Sequence, residues 1–201
     1  MTGVLMSLEE LEREVLKDRA FYDESQGGVT FSGGEPLVQH DFLLEMLRIC
    51  GARGVHRAVD TTGYASPEVL RKIAPETDLF LYDLKHMDPE EHTKYTGVDN
   101  TRILDNLRDL ASRDAVVNIR IPLIPGVNDS RENLLQTASF LTSLPKTYPV
   151  SLLPYHAAAT EKYHKLGEEY RMKDTLPPTE HQLRQAARLL EEQGLIVKIR
   201  G

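Results

Sequence analysis

The chain has 201 residues, 40% of them hydrophobic, enough to bury a full core, and one compact domain over 1–201 is the simplest organisation. Twenty-four Lys and Arg against 31 Asp and Glu give a net charge of −7 with no basic block, which argues against nucleic acid as a partner; no apolar run approaches the roughly 20 residues that cross a bilayer. Cys50 is the single cysteine, which excludes an internal disulfide or a multi-cysteine metal site within these residues, and the acidic stretch after Met6 is unlike a signal peptide, so a cytoplasmic protein is expected.

Ser7-Leu8-Glu9-Glu10 sets a hydroxyl three residues before a carboxylate, the pattern of a capping box, and predicts a helix over 7–20. The stretch 29–32 is short and β-branched and ends at Gly33-Gly34, which reads as a strand; Leu43, Met46, Leu47 and Cys50 then share one helical face. A strand over 57–60 precedes Ser66-Pro67, the cap and first turn of a helix with Val69, Leu70 and Ile73 inward. A strand over 79–84 follows. Asp88-Pro89-Glu90-Glu91 opens another helical stretch, and Ile103, Leu104, Leu107 and Leu110 line a helix after Asn100. A strand over 116–121, a helix over 133–143 and a strand over 150–153 come next. Residues 157–159 and 174–178 read as loops, Thr179 to Gln182 caps a helix carrying Leu183, Ala186, Ala187 and Leu190, and Gly194 ends it before a strand over 195–199. Such alternation predicts an α/β fold of parallel units with right-handed crossovers, as an open doubly wound sheet or a complete or partial barrel, with the partial barrel favoured.

In parallel β/α folds the loops past the strands' C-terminal ends carry the chemistry. Here those ends deliver Gly33-Gly34-Glu35-Pro36, Asp60-Thr61-Thr62-Gly63, Asp83-Leu84-Lys85, Arg120 with Pro122, and Pro154-Tyr155-His156. Helix capping and turn formation account for Thr61, Gly63 and Asp88, but not for Lys85, Arg120 and His156 together. Gly33-Gly34 suits either an ordinary tight turn or close approach of backbone to a ligand. Asp83 and Lys85, two apart on a strand, leave the same face and suit either an ion pair or joint binding of an ammonium and a carboxylate. Arg120 in an apolar strand needs water, a carboxylate or an anionic ligand. His156 alone reads as a loop histidine, and Cys50, on a core stripe, as a buried inert thiol.

The ordered set of residues 29–36, Asp60-Thr61-Thr62-Gly63-Tyr64, Asp83-Leu84-Lys85, Arg120 and Leu153-Pro154-Tyr155-His156 resembles the glycyl-radical enzyme activating enzymes, the radical S-adenosylmethionine family of pyruvate formate-lyase activating enzyme. The likeness runs from about Met6 onward, and Phe21-Tyr22 through Gln26-Gly27-Gly28 is similar to the subgroup with a ferredoxin-like insert upstream. It implies a partial (β/α)6 barrel and reductive cleavage of S-adenosylmethionine at a 4Fe-4S cluster, with electrons from an external reductant. The resulting 5′-deoxyadenosyl radical takes a hydrogen atom from a glycine of a glycyl-radical enzyme. Gly33 to Glu35 match the turn that holds the cofactor's methionine amino group through backbone and side-chain oxygens. Asp83, Leu84 and Lys85 match the aspartate-x-lysine element beside the cofactor, with Lys85 suited to its carboxylate. Asp60, Thr61 and Asp83 match residues around a monovalent cation, and Arg120 and His156 match positions that complete the pocket.

The family holds its cluster on a cysteine-x3-cysteine-x2-cysteine loop after the first strand, and no such loop occurs in this sequence. Cys50 alone cannot replace three thiolates. The resemblance therefore implies a chain lacking that strand and loop, inactive in radical chemistry by itself and with an exposed sheet edge prone to self-association. Two other readings compete. Asp83 to Asp88 fits the aspartate-x-lysine-x-x-aspartate pattern of the cofactor-free orotidine-monophosphate decarboxylase barrels, though Asp88 before Pro89 suits a helix cap and no Gly-rich phosphate loop appears near the C-terminus. The other is a non-catalytic module that docks the glycyl-radical partner.

Overall fold

The computed structural model describes residues 4–155 and 175–200. Among the described residues, the first three strands pair in parallel with one another, as do the next three. The chain divides into two compact units, Met1–Tyr82 with Arg102–Val117, and Asp83–Thr101 with Asn118–Gly201.

The first unit opens with α1 (Leu8–Lys17), started by the expected capping box: Ser7 N–H donates to Glu10 Oε2 at 2.8 Å and Glu10 N–H to Ser7 Oγ at 3.2 Å. The helix stops short of Ala20, because Asp18 leaves helical geometry, and a second helix, α2 (Arg19–Ser25), follows. Sequence gave no sign of α2, which buries no residue fully and so has no apolar period to read. Strand β1 (Gly28–Phe31) pairs with β2 (His56–Thr61) from Gly28↔His56 to Phe31↔Val59, and β2 with β3 (Leu79–Asp83) from Ala58↔Leu79 to Thr61↔Tyr82. Between them lie α3 (His40–Ala52) and α4 (Pro67–Ile73), the latter capped by Ser66 Oγ, which accepts from Val69 N–H. Met46 and Cys50 of α3 pack with Val15 and Val55 against Leu11, Val29, Phe31 and Phe42. Helix α6 (Thr101–Ser112) buries Ile103, Leu107 and Leu110. Its first free N–H, that of Thr101, is capped by Asp99 Oδ1 at 2.8 Å rather than by Asn100.

The second unit contains α5 (Pro89–Thr96), with Asp88 Oδ1 accepting from Glu90 N–H and Glu91 N–H. Strand β4 (Val117–Leu123) alternates with period two: Val117, Ile119, Ile121 and Leu123 are buried, while Asn118, Arg120 and Pro122 occupy the other face. Arg120 therefore sits within the strand, which runs two residues past the expected end. Pro122 is tolerated there because a proline still offers its carbonyl, which accepts from Asn128 Nδ2 at 2.7 Å. β4 pairs with β5 (Pro149–Pro154) from Ile119↔Val150 to Leu123↔Pro154, and β5 with β6 (Ile196–Ile199). Helices α7 (Arg131–Thr142) and α8 (Glu180–Glu191) begin at Ser130 and Thr179, the latter with a full capping box through Gln182, and α8 buries Leu183, Ala186, Ala187 and Leu190.

Candidate functional site

In the first unit, the turn after β1 and the end of β2 are joined by one carboxylate. Glu35 Oε1 accepts from Leu37 N–H at 3.2 Å and Thr61 Oγ1 at 2.6 Å. Its Oε2 accepts from Thr62 N–H at 2.9 Å and Thr62 Oγ1 at 2.6 Å. A carboxylate has about four lone-pair sites, so the protein itself fills the Glu35 side chain. Gly33 has φ +141°, and a Cβ on either Gly33 or Gly34 would meet nothing within 4 Å, so the turn has open space around it. Beside it, Ser32 Oγ donates to Asp60 Oδ2 at 2.9 Å.

The segment after β2 is equally constrained. Gly63 N–H donates to Thr61 Oγ1 at 2.9 Å, and Gly63 adopts φ +73° with its Cα against the Tyr82 phenol, where a Cβ would lie 1.8 Å from the hydroxyl. The Tyr82 hydroxyl donates to Ile103 C=O at 2.7 Å, and burial, with a lesser contribution from the Glu35 charge, pushes the phenol well above its usual range. Asn106 Nδ2 donates to Gly63 C=O and Ala65 C=O at 2.8 and 2.9 Å. Sequence gave turn chemistry for Gly63 but no sign of Tyr82 or Asn106, since their partners lie far along the chain.

In the second unit, Asp83 Oδ1 accepts from Arg120 Nε at 2.9 Å and Arg120 Nη2 at 2.8 Å, with both side chains about one-fifth exposed. Of the partners open to Arg120, a carboxylate is the one found, which resolves the cost of placing that guanidinium in an apolar strand, and Asp83 pairs with Arg120 and not with Lys85. Leu84 is buried and its N–H donates to Arg120 C=O at 2.9 Å. The Lys85 ammonium makes no hydrogen bond or ion pair with a described residue, while its carbonyl accepts from Asn128 Nδ2 at 2.8 Å. Asn128 was not foreseen; its only sequence signal is the Pro125-Gly126 turn before it. His156 lies outside the described residues.

A 4Fe-4S cluster requires accessible thiolates. Cys50 is 2% exposed, packed among Val15, Met46 and Val55, with burial raising its thiol above the usual range, so it does not fit that role. Among the described residues no three or more His, Cys, Asp or Glu gather as metal ligands, and no helix is long and apolar enough to cross a membrane.

Residues 2–138 match the radical SAM superfamily model. The trans-4-hydroxy-L-proline dehydratase activating enzyme of Clostridioides difficile is 43% identical across 100% of this chain and 67% of its own length. The pyruvate formate-lyase-activating enzyme of Staphylococcus epidermidis is 35% identical over 95% of this chain and 78% of its own length. The chain belongs to the radical SAM superfamily, among the glycyl-radical enzyme activating enzymes. Family members use S-adenosylmethionine and a 4Fe-4S cluster. A solved domain of pyruvate-formate lyase-activating enzyme from Bacteroides vulgatus, 40% identical, superposes with a TM-score of 0.75, covering 87% of this chain and 99% of that one. The expected α/β class of the radical SAM type is therefore the one found. The decarboxylase reading falls: the radical SAM match includes Asp83 to Asp88, and Asp88 is the helix cap described above. The chain spans between 52% and 78% of the length of its curated relatives.

Proposed function

We propose that this chain is the S-adenosylmethionine-binding part of an activating enzyme whose partner is a glycyl-radical enzyme of the pyruvate formate-lyase kind, working in the cytoplasm with an external reductant. The observation that carries the proposal is the 43% identity along the whole chain with the trans-4-hydroxy-L-proline dehydratase activating enzyme. The chemistry of the strand ends supports it. The carbonyls of Gly33 and Gly34 suit the methionine ammonium, with Glu35 holding their turn through Thr61 and Thr62. Lys85 suits the methionine carboxylate, the backbone of Leu84 sets its strand register, and the Asp83–Arg120 pair keeps an anion and a cation fixed beside it. Asp60, Thr61 and Asp83 are oxygen donors of the type a monovalent cation takes, and His156 is assigned to the same cofactor by its family position.

The activation chemistry needs cluster thiolates that these residues lack, so no radical step is assigned to this chain alone. The test is anaerobic iron-sulfur reconstitution followed by an assay for 5′-deoxyadenosine. One sample is this chain; the other is the chain joined to a segment that supplies a cysteine-x3-cysteine-x2-cysteine loop. Cluster uptake and product release only by the joined form is the expected result. Failure of both refutes the assignment, and capture of a glycyl-radical enzyme without cleavage favours a docking module. Separately, Asp83→Ala in the joined form is expected to abolish cleavage, and unchanged cleavage refutes its role.

A further inference from the structure

The residues just past Asp83 are held by more than their own strand. Asn128 Nδ2 donates to Lys85 C=O at 2.8 Å, and Asn100 Nδ2 donates to His86 C=O at 3.0 Å and Met87 C=O at 2.7 Å. Met87 N–H donates to Asn133 Oδ1 at 2.8 Å. Four backbone groups on three consecutive residues are thus fixed by amides from three separate segments of the second unit. The amides interlock: Asn133 Nδ2 donates to Asn128 C=O at 2.8 Å, and Asn128 Oδ1 accepts from Ile124 N–H at 2.8 Å. Because a backbone N–H only donates and a carbonyl only accepts, these partners fix the orientation of each amide.

Asn100, Asn128 and Asn133 are 4%, 1% and 4% exposed. Burying three amides is costly unless each is satisfied, and here every one spends its hydrogen bonds on the short segment after β3 or on its own neighbours. The residue that opens the clamped segment is Lys85, whose ammonium has no described partner. A lysine on a mobile loop would lose backbone as well as side-chain freedom on binding an anion, whereas on a fixed backbone only rotamer freedom is lost.

We propose that Asn100, Asn128 and Asn133 are positioning residues that fix the 85–87 backbone so that Lys85 Nζ is presented to the carboxylate of S-adenosylmethionine. This rests on the cofactor assignment made above. It is tested by calorimetric titration of the 201-residue chain with S-adenosylmethionine and with its decarboxylated form, which keeps the sulfonium and adenosine and lacks only the carboxylate.

Lys85→Ala is expected to weaken S-adenosylmethionine binding by roughly tenfold to a hundredfold and to leave the decarboxylated ligand within about twofold. Asn128→Asp keeps the side chain's size but sets a carboxylate oxygen against two carbonyls, and is expected to give the same selective loss. In a Lys85→Ala background it adds less than about twofold, because the interaction it serves is already gone. Asn100→Ala gives a selective loss in the same direction without a new charge, and carries the test if Asn128→Asp does not fold. Equal losses for both ligands, or losses fully additive with Lys85→Ala, mean that the asparagines only stabilise the fold and overturn the inference. A wild-type chain that does not bind S-adenosylmethionine, or a Lys85→Ala substitution that weakens the two ligands equally, refutes the cofactor assignment itself and the inference with it.

Discussion

The two units solve the same problem, holding a loop past a strand end rigid, with opposite chemistry. In the first, a charged side chain is consumed as scaffold: the Glu35 carboxylate accepts from two hydroxyls and two amides, and the proposed ligand contacts fall to the neutral glycine backbone. In the second, neutral side chains are the scaffold, and asparagine amides grip the backbone after β3 while the charged Lys85 side chain stays available. The contrast follows from what each loop offers. A ligand ammonium is met by carbonyl oxygens, which a glycine turn supplies without a side chain; a ligand carboxylate needs a cation, which only a side chain supplies. Substitutions should therefore fail differently in the two units, through lost anchoring in the first and lost presentation in the second.

The largest effect is expected at Gly63. Alanine there must adopt φ +73° and place its Cβ on the Tyr82 hydroxyl, so Gly63→Ala should cost at least about 3 kcal/mol in urea unfolding, from steric displacement and a left-handed backbone together. A loss below about 1 kcal/mol would mean that the loop after β2 repacks freely and that the first unit is not rigid in the sense claimed. Glu35→Gln comes next. The amide has the shape of the carboxylate, but its NH2 faces donors, so two of the four hydrogen bonds turn repulsive, and a loss of about 2–3 kcal/mol is expected. Thr62→Val removes one of those donors while keeping its backbone N–H, and should cost about 1 kcal/mol. If Glu35→Gln proved no worse than Thr62→Val, the carboxylate would not be the anchor of that turn.

What the sequence made legible, and what it hid, divides along a similar line. Every strand was readable because β-branched and apolar runs between glycines and prolines are local signals, and the helices from Ser7, Ser66 and Thr179 announced themselves through caps. Helix α2 was invisible because a seven-residue helix that buries no residue fully has no period to read. Within the site, the residue types of Glu35, Asp83, Lys85 and Arg120 were legible as chemistry but their pairings were not. Asp83 with Arg120 and Glu35 with Thr61 and Thr62 join residues 37, 26 and 27 apart. Asn128 and Asn133 read as ordinary turn and helix-start residues, and only their reach of 43 and 46 residues to Lys85 and Met87 gives them a role.

The smallest expected effect separates the units by pH. In the first unit, Arg57 donates to Asp78 from Nε and Nη2 at 2.9 and 2.8 Å, and this pairing holds the Asp78 carboxyl below its ordinary value of 3.8. A carboxylate depressed in the folded state contributes stability above its unfolded pKa, and that contribution is lost as pH falls below about 3.8 toward the lower folded value. In the second unit, His92 is 3% exposed, with Nδ1 2.7 Å from Val98 C=O. Burial lowers its pKa below 6.5, opposed by the Val98 hydrogen bond, reinforced by the charges of Lys85 and His86 and offset by that of Asp99. The unfolded chain therefore binds a proton before the folded one does, so stability is fully present above about pH 6.5 and declines as pH falls from there toward the folded value. Urea unfolding between pH 7 and pH 5 should show a loss that His92→Gln removes and Asp78→Asn leaves in place. If the loss persisted in His92→Gln, the near-neutral sensitivity would not arise at this histidine, and the contrast between an acid-sensitive first unit and a neutral-sensitive second would fail.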